Sequence, residues 1–314
     1  MPLIKIIATG GTIANTSHGL IGMEQVLKDI PQARDMADFE IAEATRVRSG
    51  SLRLAHWFET ARAVSAAAED PRVDGIIVTH GTFTTEETAY FLHLTIRTEK
   101  PLVLAASQRK HDEVGNDGDR NLLDAIRIAL SPEARGKGLL VTLHEEIHPA
   151  REVMKTNQRP GGFLSVGRGM LGHVESDRVS FYYSPTRRHT ANSEFDIREI
   201  DSLPRVDIVS AYVGADDTAA RACVEAGAEG LVVHGYAYNG RPSGDQQEGL
   251  QQIAASGIPV VLTSRGGRGR IPVDWEDPYI QGDSLVAHKA RILLMLGLKK
   301  TKEPRDLQRM FNEY

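Results

Sequence analysis

Three short stretches of the sequence carry residue types suited to nucleophilic chemistry. Ala8-Thr9-Gly10-Gly11-Thr12-Ile13-Ala14 closes an apolar run in a paired glycine turn and follows it with a hydroxyl. Glycine lets the backbone approach a ligand closely and frees N–H groups to face an anion. No lysine follows these glycines at the spacing of a nucleotide-binding P-loop, so that reading is excluded. The second stretch, Thr79-His80-Gly81-Thr82-Phe83-Thr84-Thr85-Glu86-Glu87-Thr88, again puts a glycine and hydroxyls between a strand end and a helix. Its plain structural reading is Thr84 or Thr85 as N-cap, with Glu86 and Glu87 complementing the helix dipole, which leaves Thr82 available to a site. The third is Lys155 in Val153-Met154-Lys155-Thr156-Asn157. A lysine on an apolar stretch either snorkels to solvent or, when desolvated, gives up its proton and serves as a base. A hydroxyl nucleophile needs such a base, so Thr82 and Lys155 make a pair wherever the fold joins them.

The elements that must position these residues alternate between two periodicities. Apolar β-type runs occupy residues 3–8, 74–79, 101–105 and 138–143, and helical patterns occupy 54–70, 86–94 and 121–130. This succession predicts a doubly wound α/β domain whose ligands bind beyond the C-terminal ends of the strands, at the loops after Ile7 and Val78. Residues 147–204 break into short polar and aromatic pieces with Pro160-Gly161-Gly162, Pro185 and Pro204, and read as a long, partly β-structured connection. Strands at 206–210, 230–233 and 259–262, with helices at 217–226 and 246–255, then predict a second, smaller α/β domain. The expected division is 1–200 and 201–314.

Composition narrows the partners. The 314 residues are 41% hydrophobic and 25% charged, ordinary values for a globular chain. No apolar run approaches the ~20 residues that a membrane span needs. With 37 Lys and Arg against 42 Asp and Glu, the formal charge is −5, which leaves no basic field for nucleic acid. The basic cluster 265–270 reads as a solvated or subunit-facing loop. The single cysteine, Cys223, can form neither an intrachain disulfide nor a structural zinc site, and reads as a small buried helix residue. With Met1-Pro2 followed by an apolar stretch too short for a secretory signal, a cytoplasmic chain is expected. The eleven histidines form no ligand-spaced cluster, so no metal or organic cofactor is expected. The nearest approach, His144, Glu145, Glu146 and His148, reads as surface.

Taken together, the segments resemble the bacterial-type L-asparaginase/glutaminase family over nearly the whole chain. The likeness runs through residues 8–14, His80-Gly81-Thr82, Glu86-Glu87-Thr88-Ala89-Tyr90-Phe91-Leu92, Asp117-Gly118, Asn121-Leu122, Lys155-Thr156-Asn157, Val206-Asp207-Ile208-Val209 and Thr263-Ser264-Arg265. The resemblance implies a larger N-terminal domain with a flavodoxin-like parallel sheet and a smaller C-terminal α/β domain. It implies threonine attack on an amide, ammonia release and hydrolysis of an acyl-enzyme. Thr12 would be the first nucleophile candidate, and Thr82 with Lys155 the second hydroxyl and its base. Backbone N–H groups near Gly11, Gly81 and Thr82 would stabilise the oxyanion. It also implies homodimers or homotetramers, each site being completed by a neighbouring subunit.

Several positions depart from that pattern. The family aspartate after the second threonine is Phe83 here, which cannot bind an ammonium through charge and offers only an aromatic face. Ser49-Gly50 stands in place of Ser-Gln, so Ser49 would still hold a substrate carboxylate while Gly50 supplies no amide. The lid segment from Asn15 to Ile21 is short and lacks the family's tyrosine. His18 lies in it and is either a substitute base or an exposed loop residue. For the neighbour's acidic group, Glu276 in Asp274-Trp275-Glu276-Asp277 is the nearest candidate, with ordinary surface placement as the alternative. The expected function is amide hydrolysis on an acylated amide, lactam or cyclic imide without a free α-amino group. The alternatives are ordinary L-asparaginase/glutaminase activity and a non-catalytic amide sensor. A tRNA-dependent amidotransferase subunit fits poorly with the negative charge.

Overall fold

The computed structural model describes residues 1–314, which divide into two compact units, Met1–Glu199 and Ile200–Tyr314. The first unit opens with β1 (Leu3–Ala8), the two-residue strands β2 (Asn15–Thr16) and β3 (Gly19–Leu20), α1 (Met23–Lys28) and β4 (Asp38–Glu43). It continues through α2 (Leu54–Glu69), β5 (Val73–Gly81), α3 (Thr85–Thr95), β6 (Leu102–Ser107), α4 (Gly118–Leu130) and β7 (Leu139–Leu143). Five short strands follow: β8 (Glu146–Pro149), β9 (Val153–Lys155), β10 (Phe163–Ser165), β11 (Gly172–Val174) and β12 (Val179–Phe181).

The main sheet has the order β12-β11-β8-β7-β6-β5-β1-β4. Its half from β4 to β7 is parallel, and its five strands, numbered along the chain, lie in the flavodoxin-like order 2-1-3-4-5. The order reverses between β1 and β5, which is where such sheets bind ligands. Strand alternation explains why both faces are covered. Ile4, Ile6, Ile77, Val103 and Leu140 pack on Leu122, Leu123 and Ile126 of α4. Their neighbours Ile7, Ile76, Val78 and Leu104 point the other way and are equally buried, with α2 against β1 and β5 and α3 against β6 and β7. Strands buried on both faces read as continuous apolar runs, and this is why they stand out in the sequence.

Two features differ from the sequence expectation. Strand β4 is an edge strand in which charged residues alternate with Phe39 and Ile41, and it carries no buried apolar run. The segment expected as a connection instead adds β8, β11 and β12 antiparallel to the sheet, while β9 and β10 form a separate hairpin. Each piece spans three or four residues, too short to show a period. His148, expected at the surface, is buried on β8, its Nδ1 2.9 Å from Ser165 Oγ.

The second unit contains β13 (Val206–Ser210), α5 (Thr218–Glu225), β14 (Gly230–Gly235), α6 (Gly244–Ala255), β15 (Val260–Ser264), β16 (Ile280–Gln281), α7 (Ala287–Leu298) and α8 (Pro304–Glu313). Its four strands are parallel in chain order. Leu231, Val233, Val260 and Leu262 meet Ala220 of α5 and Leu250 and Ile253 of α6 on one face. Leu294 of α7 closes over Gly230 on the other. The sequence expectation lacked α7 and α8. The first is apolar nearly all round and shows no amphipathic stripe.

Helices α2 and α3 are joined by Trp57, whose ring stacks on Phe91 with centroids 5.0 Å apart. Its indole N–H donates to Thr88 Oγ1 at 3.0 Å within the core. Thr88→Val keeps the shape and removes the acceptor. It is expected to destabilise the protein by about 1–3 kcal/mol, the cost of an unsatisfied buried donor, read as a lower urea midpoint at unchanged slope. An unshifted midpoint would mean that the indole finds another acceptor.

Candidate active site

The site forms at the C-terminal ends of β1 and β5 from three loops that touch almost backbone to backbone. Gly10 and Gly11 have φ of +85° and +91°, which L side chains rarely adopt. A Cβ on Gly11 would lie 2.4 Å from the Gly81 nitrogen, and one on Gly81 would lie 2.5 Å from Ser49 Oγ. Thr9 Oγ1 donates to the Thr79 carbonyl at 2.7 Å and Thr45 Oγ1 to the Thr9 carbonyl at 3.1 Å, so the strand ends are tied behind the glycines. Thr12 opens a single 3-10 turn immediately after this contact.

Thr82, Phe83, Ser49 and Lys155 are brought together. Lys155 Nζ lies 2.7 Å from Thr82 Oγ1, which joins residues far apart in sequence. Its backbone N–H donates to Glu86 Oε2 at 2.7 Å, so the first turn of α3 fixes the end of β9. Burial lowers the Lys155 pKa below the usual lysine value, with the Glu86 charge opposing in part. The Lys155 ammonium also sits 5.1 Å from the centre of the Phe83 ring. Phe83 is 74% exposed and stands at the cavity mouth. Its N–H donates to the buried Ser49 Oγ at 3.2 Å, and Thr84 Oγ1 donates to the Ser49 carbonyl at 3.0 Å. Thr84 thus occupies the N-cap position of α3 while its hydroxyl secures the neighbouring loop.

Gly50 and Phe83 form a matched pair. A Cβ on Gly50 would come within 2.9 Å of Phe83 Cδ2, so the ring uses space that a side chain at position 50 would need. The two positions expected to depart from the family pattern are thus in packing contact.

The Gly81 carbonyl has two polar neighbours, His80 Nδ1 at 2.8 Å and Thr85 Oγ1, which donates at 3.0 Å. Burial pushes His80 down to about 4, so it is neutral near pH 7 and donates from Nδ1. Because the peptide is trans, the Thr82 N–H points opposite to this pinned carbonyl.

These loops enclose a cavity of about 430 Å³ whose wall includes Gly11, Thr12, Ser49, Gly50, Thr82 and Phe83. The β2–β3 hairpin forms another part of the wall. Asp112 accepts both the N–H and the hydroxyl of Ser17, and the His111 N–H donates to the Asn15 carbonyl at 2.8 Å. His18 is at the exposed turn of this hairpin, off the cavity wall. Glu276 lies in the second unit on an exposed turn. Sequence reasoning missed Arg48 and Lys110, which also line the cavity. The position of Lys110 in the loop after β6, at a strand's C-terminal end, was the available signal.

Gly11→Ala combines a disfavoured φ with a backbone collision, whereas Gly161, at φ +77°, has nothing within 4 Å of an added methyl. Gly161→Ala is expected to cost about 1–2 kcal/mol for the left-handed backbone alone. Gly11→Ala is expected to cost more in thermal unfolding and to lose turnover. Equal effects of the two would show that the close approach is dispensable.

Comparison with known proteins places the chain in a family. Residues 3–187 match the asparaginase N-terminal family model and residues 205–311 the glutaminase/asparaginase C-terminal domain. The chain is 37% identical to an L-asparaginase 2 of Bacillus subtilis, over 100% of this chain and 87% of that protein. It is also 37% identical to a glutaminase-asparaginase of Pseudomonas fluorescens, over 99% of this chain and 90% of that one. The crystal structure of a probable cytoplasmic L-asparaginase from Campylobacter jejuni superposes with a TM-score of 0.95 at 35% identity, covering 100% of both chains. With family matches across both units and the threonine–lysine pair in place, the chain belongs to the asparaginase/glutaminase family of amidohydrolases, which cleave carbon–nitrogen bonds other than peptide bonds.

Proposed function

We propose that the chain hydrolyses an amide whose carrier lacks the free α-amino acid head: an acylated amide, a lactam or a cyclic imide. The observation that carries this reading is Phe83 at the cavity mouth, with Gly50 leaving room for its ring. An ammonium would meet an aromatic face, a weaker partner than a carboxylate, while an uncharged substrate body would gain apolar contact.

In this reading Thr12 is the nucleophile. Thr12 lines the cavity, whereas the Thr82 hydroxyl is engaged by Lys155. Thr12 Oγ bonds to the amide carbon as its proton passes through Thr82 to neutral Lys155, and the carbonyl oxygen takes up the electron pair. The Thr82 N–H and the N–H groups near Gly11 stabilise that oxyanion, each such donor being worth roughly 10²–10³ in rate. Collapse breaks the C–N bond, and the leaving nitrogen takes the proton back from Lys155. Water then attacks the ester, loses a proton to Lys155, and the second collapse returns Thr12 its proton and releases the acid. The reading includes a cytoplasmic location and assembly as a homodimer or homotetramer, with Glu276 of a neighbouring chain beside the cavity. A second reading, L-asparagine hydrolysis, is favoured by the names of the relatives at 37% identity.

Ammonia release, or ring opening followed by mass, from L-asparagine, L-glutamine, N-acetyl-L-asparagine, succinamate and succinimide separates the two readings. Turnover is expected for compounds without a free ammonium and to be lost in Thr12→Ala, and efficient L-asparagine turnover would overturn the proposal. An acyl group trapped on Thr82 rather than Thr12 would reassign the nucleophile.

Lys155 must be neutral to accept a proton, so kcat/KM is expected to rise with pH through an apparent pKa below the ordinary lysine value of 10.5. Phe83→Asp adds a negative charge beside Lys155, favours its protonated form and is expected to move that rise to higher pH. A profile identical to that of the unsubstituted enzyme would remove Lys155 as the titrating base.

A further inference from the structure

We infer that the cavity selects an anionic amide, the open-chain mono-amide of a dicarboxylic acid, by holding its free carboxylate between Arg48 and Lys110. The inference rests on the reading above and narrows it, because a lactam or a simple imide has no such group.

Arg48 and Lys110 come from different loops and line the same cavity as Thr12 and Thr82, and no aspartate or glutamate lines it. Neither cationic side chain forms an ion pair or hydrogen bond within the chain, although ion pairs are plentiful elsewhere in the same unit. The loop carboxylate Asp112 accepts both Ser17 donors and meets Lys110 only through its charge, without direct contact. Two cations with no carboxylate in contact, Lys110 being offset in part by Asp112, leave a positive potential on the wall of a concave site, which attracts an anion and disfavours an ammonium.

The loop bearing Lys110 is built. The N–H groups of Gln108 and Arg109 donate to Asp117 at 2.9–3.0 Å, and Asn121 Nδ2 donates to the same carboxylate at 3.1 Å. The His111 N–H then ties this loop to the β2–β3 hairpin. Arg48 immediately precedes the buried Ser49, whose backbone carbonyl is held by Thr84. Both cations therefore project from anchored backbone. Free L-asparagine is a zwitterion and gains at one end what it loses at the other. Succinamate offers the same reacting amide with a net charge of −1 and no ammonium.

The test uses the intact enzyme with succinamate, its neutral methyl ester, succinimide and L-asparagine, and compares it with Arg48→Gln, Lys110→Gln and the double variant. Both positions are exposed, and circular dichroism checks that each variant folds. Succinamate is expected to be preferred over its ester, with kcat/KM falling as salt rises. Each substitution is expected to lower succinamate kcat/KM roughly 10- to 100-fold, mainly through KM, the size of a lost charge-assisted hydrogen bond. Turnover of the ester is expected to fall much less than that of succinamate, so that the preference between the two narrows. Binding of succinate, the acid product, gives a readout independent of turnover, and its Kd is expected to weaken by the same factor. Better turnover of succinimide or the ester, or succinate binding unmoved by the double variant, would overturn this inference alone. Preference for L-asparagine over succinamate would overturn the parent reading along with it.

Discussion

The site depends on one close approach, the contact of the Gly11 backbone with that of Gly81. In a doubly wound sheet the two strands flanking the point of order reversal send their loops apart, and a crevice opens between them. Here β1 and β5 are those strands, and the crevice is narrowed until a single methyl on Gly11 would overlap the Gly81 peptide. Only two glycines permit this. The result sets Thr12, after β1, and Thr82, after β5, on the wall of one cavity. Ser49 fills the side of Gly81 that a Cβ would occupy, so the third loop is positioned by the same vacancy.

In the proposed mechanism, proton handling is carried by contacts separate from those that recognise the substrate. Glu86 fixes the Lys155 backbone, the Lys155 amine meets Thr82, and partial burial lowers its affinity for a proton. His80 and Thr85 hold the Gly81 carbonyl from the buried side. Phe83 touches this machinery only through its ring beside the ammonium. An aspartate there would favour the charged lysine, and an aromatic ring does so less, which suits an amine that must be neutral to act.

The central parallel strands β5, β6, β7, β14 and β15 were legible in the sequence because they are buried on both faces and written as nearly uninterrupted apolar runs. Thr12, Thr82 and Lys155 were legible as residue types, and their family resemblance joined them. The edge strand β4 and the short antiparallel strands were not legible, since their contacts lie with distant segments and their own periods are too brief. The coupling of Gly50 to Phe83 was equally hidden. Each substitution is visible alone, but that one makes room for the other is a fact of packing. Arg48 and Lys110 were passed over because an exposed basic residue has no signature until a cavity is seen behind it.

In the proposed function, this division between chemistry and recognition lets the scaffold take a different substrate without rebuilding its catalytic centre. Charge recognition of an ammonium calls for a carboxylate, and with Phe83 where the resemblance leads one to expect it, the Thr82–Lys155 contact stands at 2.7 Å. Charge selection then passes to whatever remains on the wall, and what remains is cationic. On the proposed reading, an anion drawn there arrives with its amide beside Thr12, and the same loops disfavour a competitor bearing an ammonium. Specificity of this kind lies in the loops after the strands, while the strands and their glycines keep the reacting groups in place.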